Sequence, residues 1–237
     1  MIITTSNILL GRAPIVTTGA SSDSAANLSD PDFSTIYRSS DPRLLTYQYV
    51  GNIGTINYVA VAGINIGAGE FNNVTDFPSR VRVYENNILI KTVNVIRDNC
   101  VVVYFQPRNF QILKVELKNS KPINPICTFT AAGIAFEVPN GGEQAGYSRQ
   151  GLSRPYTQKT TTNAIAAPVS TLTKSIKSKG ALSIPNTTLD FSESTWQGFL
   201  DFSMNNYFFI QERQNETESV FFDINQSSYL CYDISKN

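Results

Sequence analysis

The side chains that could do chemistry in this chain are carboxylates, hydroxyls and three thiols. There is no histidine among its 237 residues, which removes histidine triads, histidine general acids and imidazole metal ligands in one step. A carboxylate pair is then the simplest route to hydrolysis, and Glu193 with Asp190 or Asp201 has the make-up of a glycosidase pair. The same three residues fall at the start and on the solvent side of a predicted helix, where capping and solvation account for them. Asp223 and Asp233 sit in strand-like contexts and read as exposed alternation positions. No GxSxG, P-loop, HExxH or GxGxxG pattern occurs, so the chain is expected not to be an enzyme. Asp30-Pro31-Asp32-Phe33-Ser34-Thr35 reads as an Asx-type turn, its carboxylates accepting from nearby backbone N–H groups. Cys100, Cys127 and Cys231 are odd in number and widely spaced. The first two lie beside apolar strands, as buried free thiols do. A Cys100–Cys127 bridge is the alternative, which spacing does not decide. No CxxC occurs, against zinc or thioredoxin-like chemistry.

Charge is balanced, with 19 basic and 19 acidic residues and no run of one sign. That argues against nucleic acid or an anionic membrane as the main partner. No apolar stretch reaches membrane-spanning length, so no membrane insertion is expected. The first residues, MIITTSNILLGRAPIV, lack the basic and apolar regions of a signal peptide. The expectation is a soluble protein that stays in the cytoplasm or leaves it within an assembled particle.

The elements that must position these groups are mostly strands. A short strand near Ile2 and Ile3 leads into a polar loop. The run Ile53–Ile66 carries apolar residues on both faces, as an inner strand covered on both sides would. Residues 77–96 read as a hairpin with Val81 and Val83 on one face, Arg82 and Tyr84 on the other, and Glu85-Asn86-Asn87 as the turn. A second hairpin is expected from VVVYF to FQILKVELK through Gln106-Pro107-Arg108-Asn109, with Leu113, Val115 and Leu117 alternating against Lys114, Glu116 and Lys118. Residues 128–138 form the last strand of an antiparallel sandwich spanning 1–139. Residues 140–169 read as a linker or extended arm. Residues 170–237 read as a small α+β unit: a strand, one amphipathic helix capped by Asp190 with Glu193, and three aromatic strands. The helix would present Trp196, Phe199, Leu200 and Met204 on one face. Consecutive rings at Phe208-Phe209 and Phe221-Phe222 must point to opposite strand faces. Cover from a neighbouring subunit is therefore expected there.

Within residues 15–138, Ala20-Ser21-Ser22 precedes Asp30-Pro31-Asp32-Phe33-Ser34-Thr35-Ile36-Tyr37. Tyr49-Val50-Gly51-Asn52-Ile53-Gly54 with Ile56, Val59, Val61 and Gly63 follows, and Gly133-Ile134-Ala135-Phe136-Glu137-Val138 closes the series. In order and spacing this resembles the discoidin or coagulation-factor C-type domains, which are galactose-binding-like jelly rolls. Pro31 stands where the family has Gly, Tyr37 where it has Trp, and Asn52 near a conventional Asp. With its aromatic C-terminal unit, the whole chain resembles a tail or baseplate component of a tailed-bacteriophage virion. The resemblance implies a fold, a mainly β jelly roll followed by a small α+β unit, and a possible structural Ca2+ held by Asp30, Asp32, Thr35 and Glu137, since oxygen ligands suit a hard cation. The metal-free Asx turn is the alternative. It also implies a carbohydrate-binding surface drawn from Arg38, Arg43, Tyr47 and Phe71, with Tyr37 in the core. The function implied is that of a non-enzymatic structural protein of the virion tail, assembled in the host cytoplasm with other virion proteins and with copies of itself, and presenting its module to a host surface glycan. A free carbohydrate-binding lectin and a capsid decoration protein are the alternatives.

Overall fold

The computed structural model describes residues 2–32, 34–67, 79–95, 100–139, 156–162, 168–175, 188–203, 206, 208–211 and 219–222. In chain order the strands are β1 (Ile2–Thr4), β2 (Ile15–Thr18), β3 (Tyr37–Arg38), β4 (Leu44–Ala62), β5 (Arg80–Glu85), β6 (Ile88–Asn94) and β7 (Val101–Lys118). They continue with β8 (Ile126–Cys127), β9 (Phe129–Gly133), β10 (Ala135–Glu137), β11 (Tyr156–Thr162), β12 (Pro168–Ser175), β13 (Phe208–Gln211) and β14 (Ser219–Phe222). All pairings among the described residues are antiparallel, so the expected mainly β architecture is what the chain adopts.

The frame is the long ribbon β4–β7. Its Leu44–Val50 half pairs with Ile112–Lys118, and its Tyr58–Val61 stretch pairs with Val101–Tyr104. The second hairpin expected at Gln106–Asn109 is not there; β7 runs straight through. Between the rungs Tyr58↔Tyr104 and Ile56↔Arg108, β7 has more residues than β4, which is a bulge. Pro107 has no N–H to give a ladder, and a bulge tolerates that. A second bulge lies on β4 between Val50 and Gly54, where Gly51 and Gly54 take φ of 106° and 88°. Side chains rarely adopt those angles, which explains the two glycines. The first hairpin is as expected: Val81 and Val83 are buried, and Asn86 and Asn87 turn the chain at φ of 47° and 70°.

Sheet order β2-β4-β7-β5-β6, with β9 also on β4, makes the larger sheet. One core gathers the inward residues of both halves of the ribbon, including Leu45, Tyr47, Tyr49, Val59, Val61, Leu113, Val115 and Leu117. On its second face the Tyr58–Ala62 stretch packs through Tyr58, Ala60 and Ala62 against Ile2, Phe129 and Phe209, the two-sided burial expected of it. The strand after β9 then changes sheets. A Cβ on Gly133 would run into the Ser6 hydroxyl and carbonyl, Ser6 Oγ accepts from Ile134 N at 2.7 Å, and Asn57 holds Ala135 through both its amide atoms at 2.7 Å.

The smaller sheet has the order β10-β1-β13-β14. Ile2 pairs with both Glu137 and Gln211, so hydrogen bonds cross residue 139, where a boundary was expected. Phe208 and Phe209 do point to opposite faces, yet this chain covers both. Phe209 stacks over Phe129 at 6.3 Å, and Phe208 meets Phe199 edge-on at 5.1 Å. This corrects their assignment to a subunit interface; strand β1 and the helix supply the cover. Phe221 and Phe222 pair with Phe209 and Phe208 along the backbone, and their side chains lie outside the described set. The helical segment is π-type over Phe191–Trp196 and then α1 (Gln197–Ser203). Phe199 is buried and Trp196 and Leu200 half-buried on it, as expected; Met204 lies outside the described residues. Its cap is not Asp190: Thr188 Oγ1 accepts from Phe191 N at 3.2 Å, and the Asp190 side chain makes no cap hydrogen bond. The stretch read as linker or arm contains β11, which pairs with β12. No helix of the described residues is long and apolar enough to cross a membrane.

Candidate functional site

At one end of the sandwich the loops 19–44 and 119–126 are strapped together by short polar side chains. Tyr37 is buried and packs inward, its hydroxyl accepting from Ser21 N at 3.0 Å and donating to Gly19 O at 3.3 Å. Because strand residues alternate, its neighbours Ile36 and Arg38 face outward and are exposed. Asp23 Oδ2 accepts from Arg38 N at 2.8 Å, fixing where that arginine leaves the backbone. Ser39 Oγ donates to Leu44 O at 2.6 Å, closing the turn between Arg38 and Arg43. Asp41 Oδ1 accepts from Arg43 N at 2.8 Å and Leu44 N at 2.9 Å. From the second loop, Asn124 Nδ2 donates to Ser39 O at 2.7 Å, and Asn119 N donates to Arg43 O at 2.8 Å. Asn65 grips Asn124 O and Ile126 N at 3.0 and 2.7 Å.

The strapped loops carry two exposed arginines, Arg38 and Arg43, and the exposed apolar residues Ile36 and Ile123. Among the described residues neither guanidinium has a hydrogen bond or ion pair of its own. A planar donor fork suits paired hydroxyl or carboxylate oxygens, and an apolar flank suits the C–H face of a sugar ring. Both arginines were named from the sequence, and both are exposed. Sequence reasoning missed the straps at Asp23, Ser39, Asp41, Asn65 and Asn124, although Asp and Ser two residues before a turn N–H are the usual signal.

Tyr47 does not belong to this surface. It is fully buried, its hydroxyl is 2.7 Å from Thr130 Oγ1, and burial pushes its acidity well down by raising the pKa. Alternation in Leu45-Thr46-Tyr47-Gln48-Tyr49 sends it into the core. Phe71 lies outside the described residues. Cys100 and Cys127 are buried and not bridged to each other; burial raises both thiols, Cys127 to about 11. Neither is poised as a nucleophile, since a thiolate is what reacts. Cys231 lies outside the described residues.

The aspartate turn is closed by its own hydrogen bonds. Asp30 Oδ1 accepts from Asp32 N at 3.0 Å, Asp32 Oδ1 accepts from Ser34 N at 2.8 Å, and Thr35 Oγ1 donates to Asp32 O at 2.8 Å. The Ser34 N–H, and then its hydroxyl, hold the Asp32 carboxyl below its usual range. Glu137 is not brought to the turn. Its strand lies beside β1, where its charge raises the Tyr104 hydroxyl pKa, after desolvation. No group of three or more Cys, Asp or Glu placed to hold a metal occurs among the described residues. The set Asp30, Asp32, Thr35 and Glu137 therefore does not fit a calcium ion as a unit.

No family model and no curated protein matches the chain. Among solved structures it is similar to chitosan-binding module 1 of a chitosanase/glucanase from Paenibacillus sp. IK-5, at 12% identity over 54% of this chain and 98% of that one, TM-score 0.41. It is similar to the lectin domain of Lectinolysin complexed with Lewis B antigen, at 16% identity over 54% and 96%, TM-score 0.40. It is also similar to a Streptococcus pneumoniae fucose binding module, at 13% identity over 54% and 95%, TM-score 0.39. Likenesses at this level fix no ligand for this chain.

Proposed function

We propose that this chain is a non-catalytic glycan-binding module whose contact surface is the loop end carrying Arg38 and Arg43. The observation that carries the reading is the pair of outward guanidinium groups on loops already braced by hydrogen bonds. A braced surface loses little freedom when it binds, which favours a shallow polar site. Binding without turnover is supported by the lack of histidine and by the spending of the carboxylates of the loop end and the larger sheet on turns and ion pairs. Asp23, Asp30, Asp32 and Asp41 hold backbone N–H groups, while Glu116 and Glu85 hold Arg82 and Arg108 at 3.2 and 3.4 Å.

The test is titration calorimetry against a glycan array, beginning with chitosan oligomers, fucose and Lewis b, the sugars named for the similar structures. The expected result is saturable binding that weakens at least about tenfold, or ~1.4 kcal/mol, in Arg38→Ala and Arg43→Ala. Binding untouched by both substitutions would move the site elsewhere, and no glycan binding at all would end the proposal. Placement in a phage virion, with other virion proteins as partners, is a separate proposal resting on the sequence resemblance alone. Mass spectrometry of purified particles tests it.

A further inference from the structure

The hairpin β11–β12 pairs with no other strand among the described residues. Two strands alone are marginal at best in water, so a hairpin of seven and eight residues calls for a surface to lie on. Its sequence says what kind. Residues 141–187 contain six Lys or Arg and one acid, Glu143, whereas residues 188–237 contain eight acids and two bases. A chain neutral as a whole is thus split into a basic arm and an acidic end. Lys159 and Lys174 lie on the hairpin strands, two rungs apart in register. The acidic end has a described surface. Asp190, Glu193 and Asp201 are exposed on the helical segment whose opposite side buries Phe199 against the smaller sheet. There is no Lys or Arg in residues 188–203, and no ion pair to these three carboxylates occurs among the described residues.

We propose that β11–β12 is an exchange arm, which a second copy of this chain receives against the acidic outer face of its helical segment. The legs tying the arm to the body, residues 140–155 and 176–187, are long enough for this. At roughly 3.3 Å per residue the shorter leg spans at most ~40 Å, about the width of a domain. Opposite charge on the two surfaces of one chain makes each copy both donor and acceptor, which gives a closed symmetric dimer or a ring.

Light scattering on the full chain tests the proposal. At about 50 mM salt an oligomer is expected, and it should fall to monomer as added salt screens the contact. Lys159→Glu with Lys174→Glu should be monomeric at low salt, with an unchanged circular dichroism spectrum. Mixing that variant with Asp190→Lys/Glu193→Lys/Asp201→Lys should restore a mixed oligomer. If the reversed chains misfold, the salt dependence of the natural chain decides alone. A natural chain that is monomeric at every salt concentration overturns the proposal; the arm then lies on its own body. Capture of that monomer on immobilised heparin, lost in the lysine variant, would assign the arm to an anionic polysaccharide instead. An oligomer indifferent to salt and to both variants also overturns it.

Discussion

The two halves of the β4–β7 ribbon have the same hydrogen bonding and opposite surroundings. In the Leu44–Val50 half, Leu45, Tyr47 and Tyr49 are buried while Gln48 and Val50 reach outward, and Lys114 and Glu116 do likewise on β7. In the Tyr58–Ala62 half every residue is buried. The difference comes from the two strands laid over the second half: β1, from the start of the chain, and β13, from near its end. One half of the ribbon is therefore surface and the other an internal wall, and the aromatic C-terminal residues are what make it a wall.

Substitutions on the two halves should separate sharply. Phe209→Ala, on the covering strand, is expected to cost about 3–5 kcal/mol in urea unfolding, as large-to-small changes in a core do. Val50→Ala, on the open half, should stay within about 0.5 kcal/mol. Equal effects would mean that β13 does not cover the ribbon. Asn57→Ala should come next. It strands the Ala135 N–H and carbonyl at the sheet switch, a loss of about 1–3 kcal/mol. The thiols read the same contrast by kinetics. Cys100 belongs to the core under β1 and β13, and Cys127 to the core inside the ribbon. In a Cys231→Ser background and mild denaturant, Cys100 should be labelled first if the cover lifts locally; labelling in step would show one cooperative unit. The smallest effect is set by acid. The Asp32 carboxyl lies below 3.8 in the folded turn, so its contribution is complete above that value and fades as pH falls past it. Melting curves of Asp32→Asn should lack that last acid-side slope, and chelators should leave the natural chain's melting temperature unmoved.

Local pattern carried much of this architecture. Alternation at Leu113, Val115 and Leu117 marked a half-buried strand, and GTINYVAVAG was apolar on both sides because both sides are covered. The false hairpin at Gln106-Pro107-Arg108-Asn109 arose because turns and bulges draw on the same residues. Only the partner strand, with its short step from Ile56 to Tyr58, tells them apart. The aromatic pair Phe208-Phe209 was read correctly as two-faced, but its cover comes from Phe199, from Phe129 and from β1, the last some two hundred residues away in sequence, as Phe209 N donating to Thr4 Oγ1 at 2.8 Å shows. At the candidate site, exposure of Arg38 followed from an inward Tyr37. Tyr47 carried the same kind of signal in its own alternation and belonged with the core from the outset. Glu137 was joined to the aspartate turn by family pattern, a link that no local rule could check.

The position of β1 sets a timetable for making the protein. Ile2 and Ile3 are made some two hundred residues before their partners on β13, and one side of their strand stays unmatched until residues 208–211 emerge. Over that interval a short apolar edge and one wall of the ribbon are open to wrong partners. Such distant pairing slows folding and leaves time for aggregation, so the uncovered wall is most exposed to mispairing before β13 is in place.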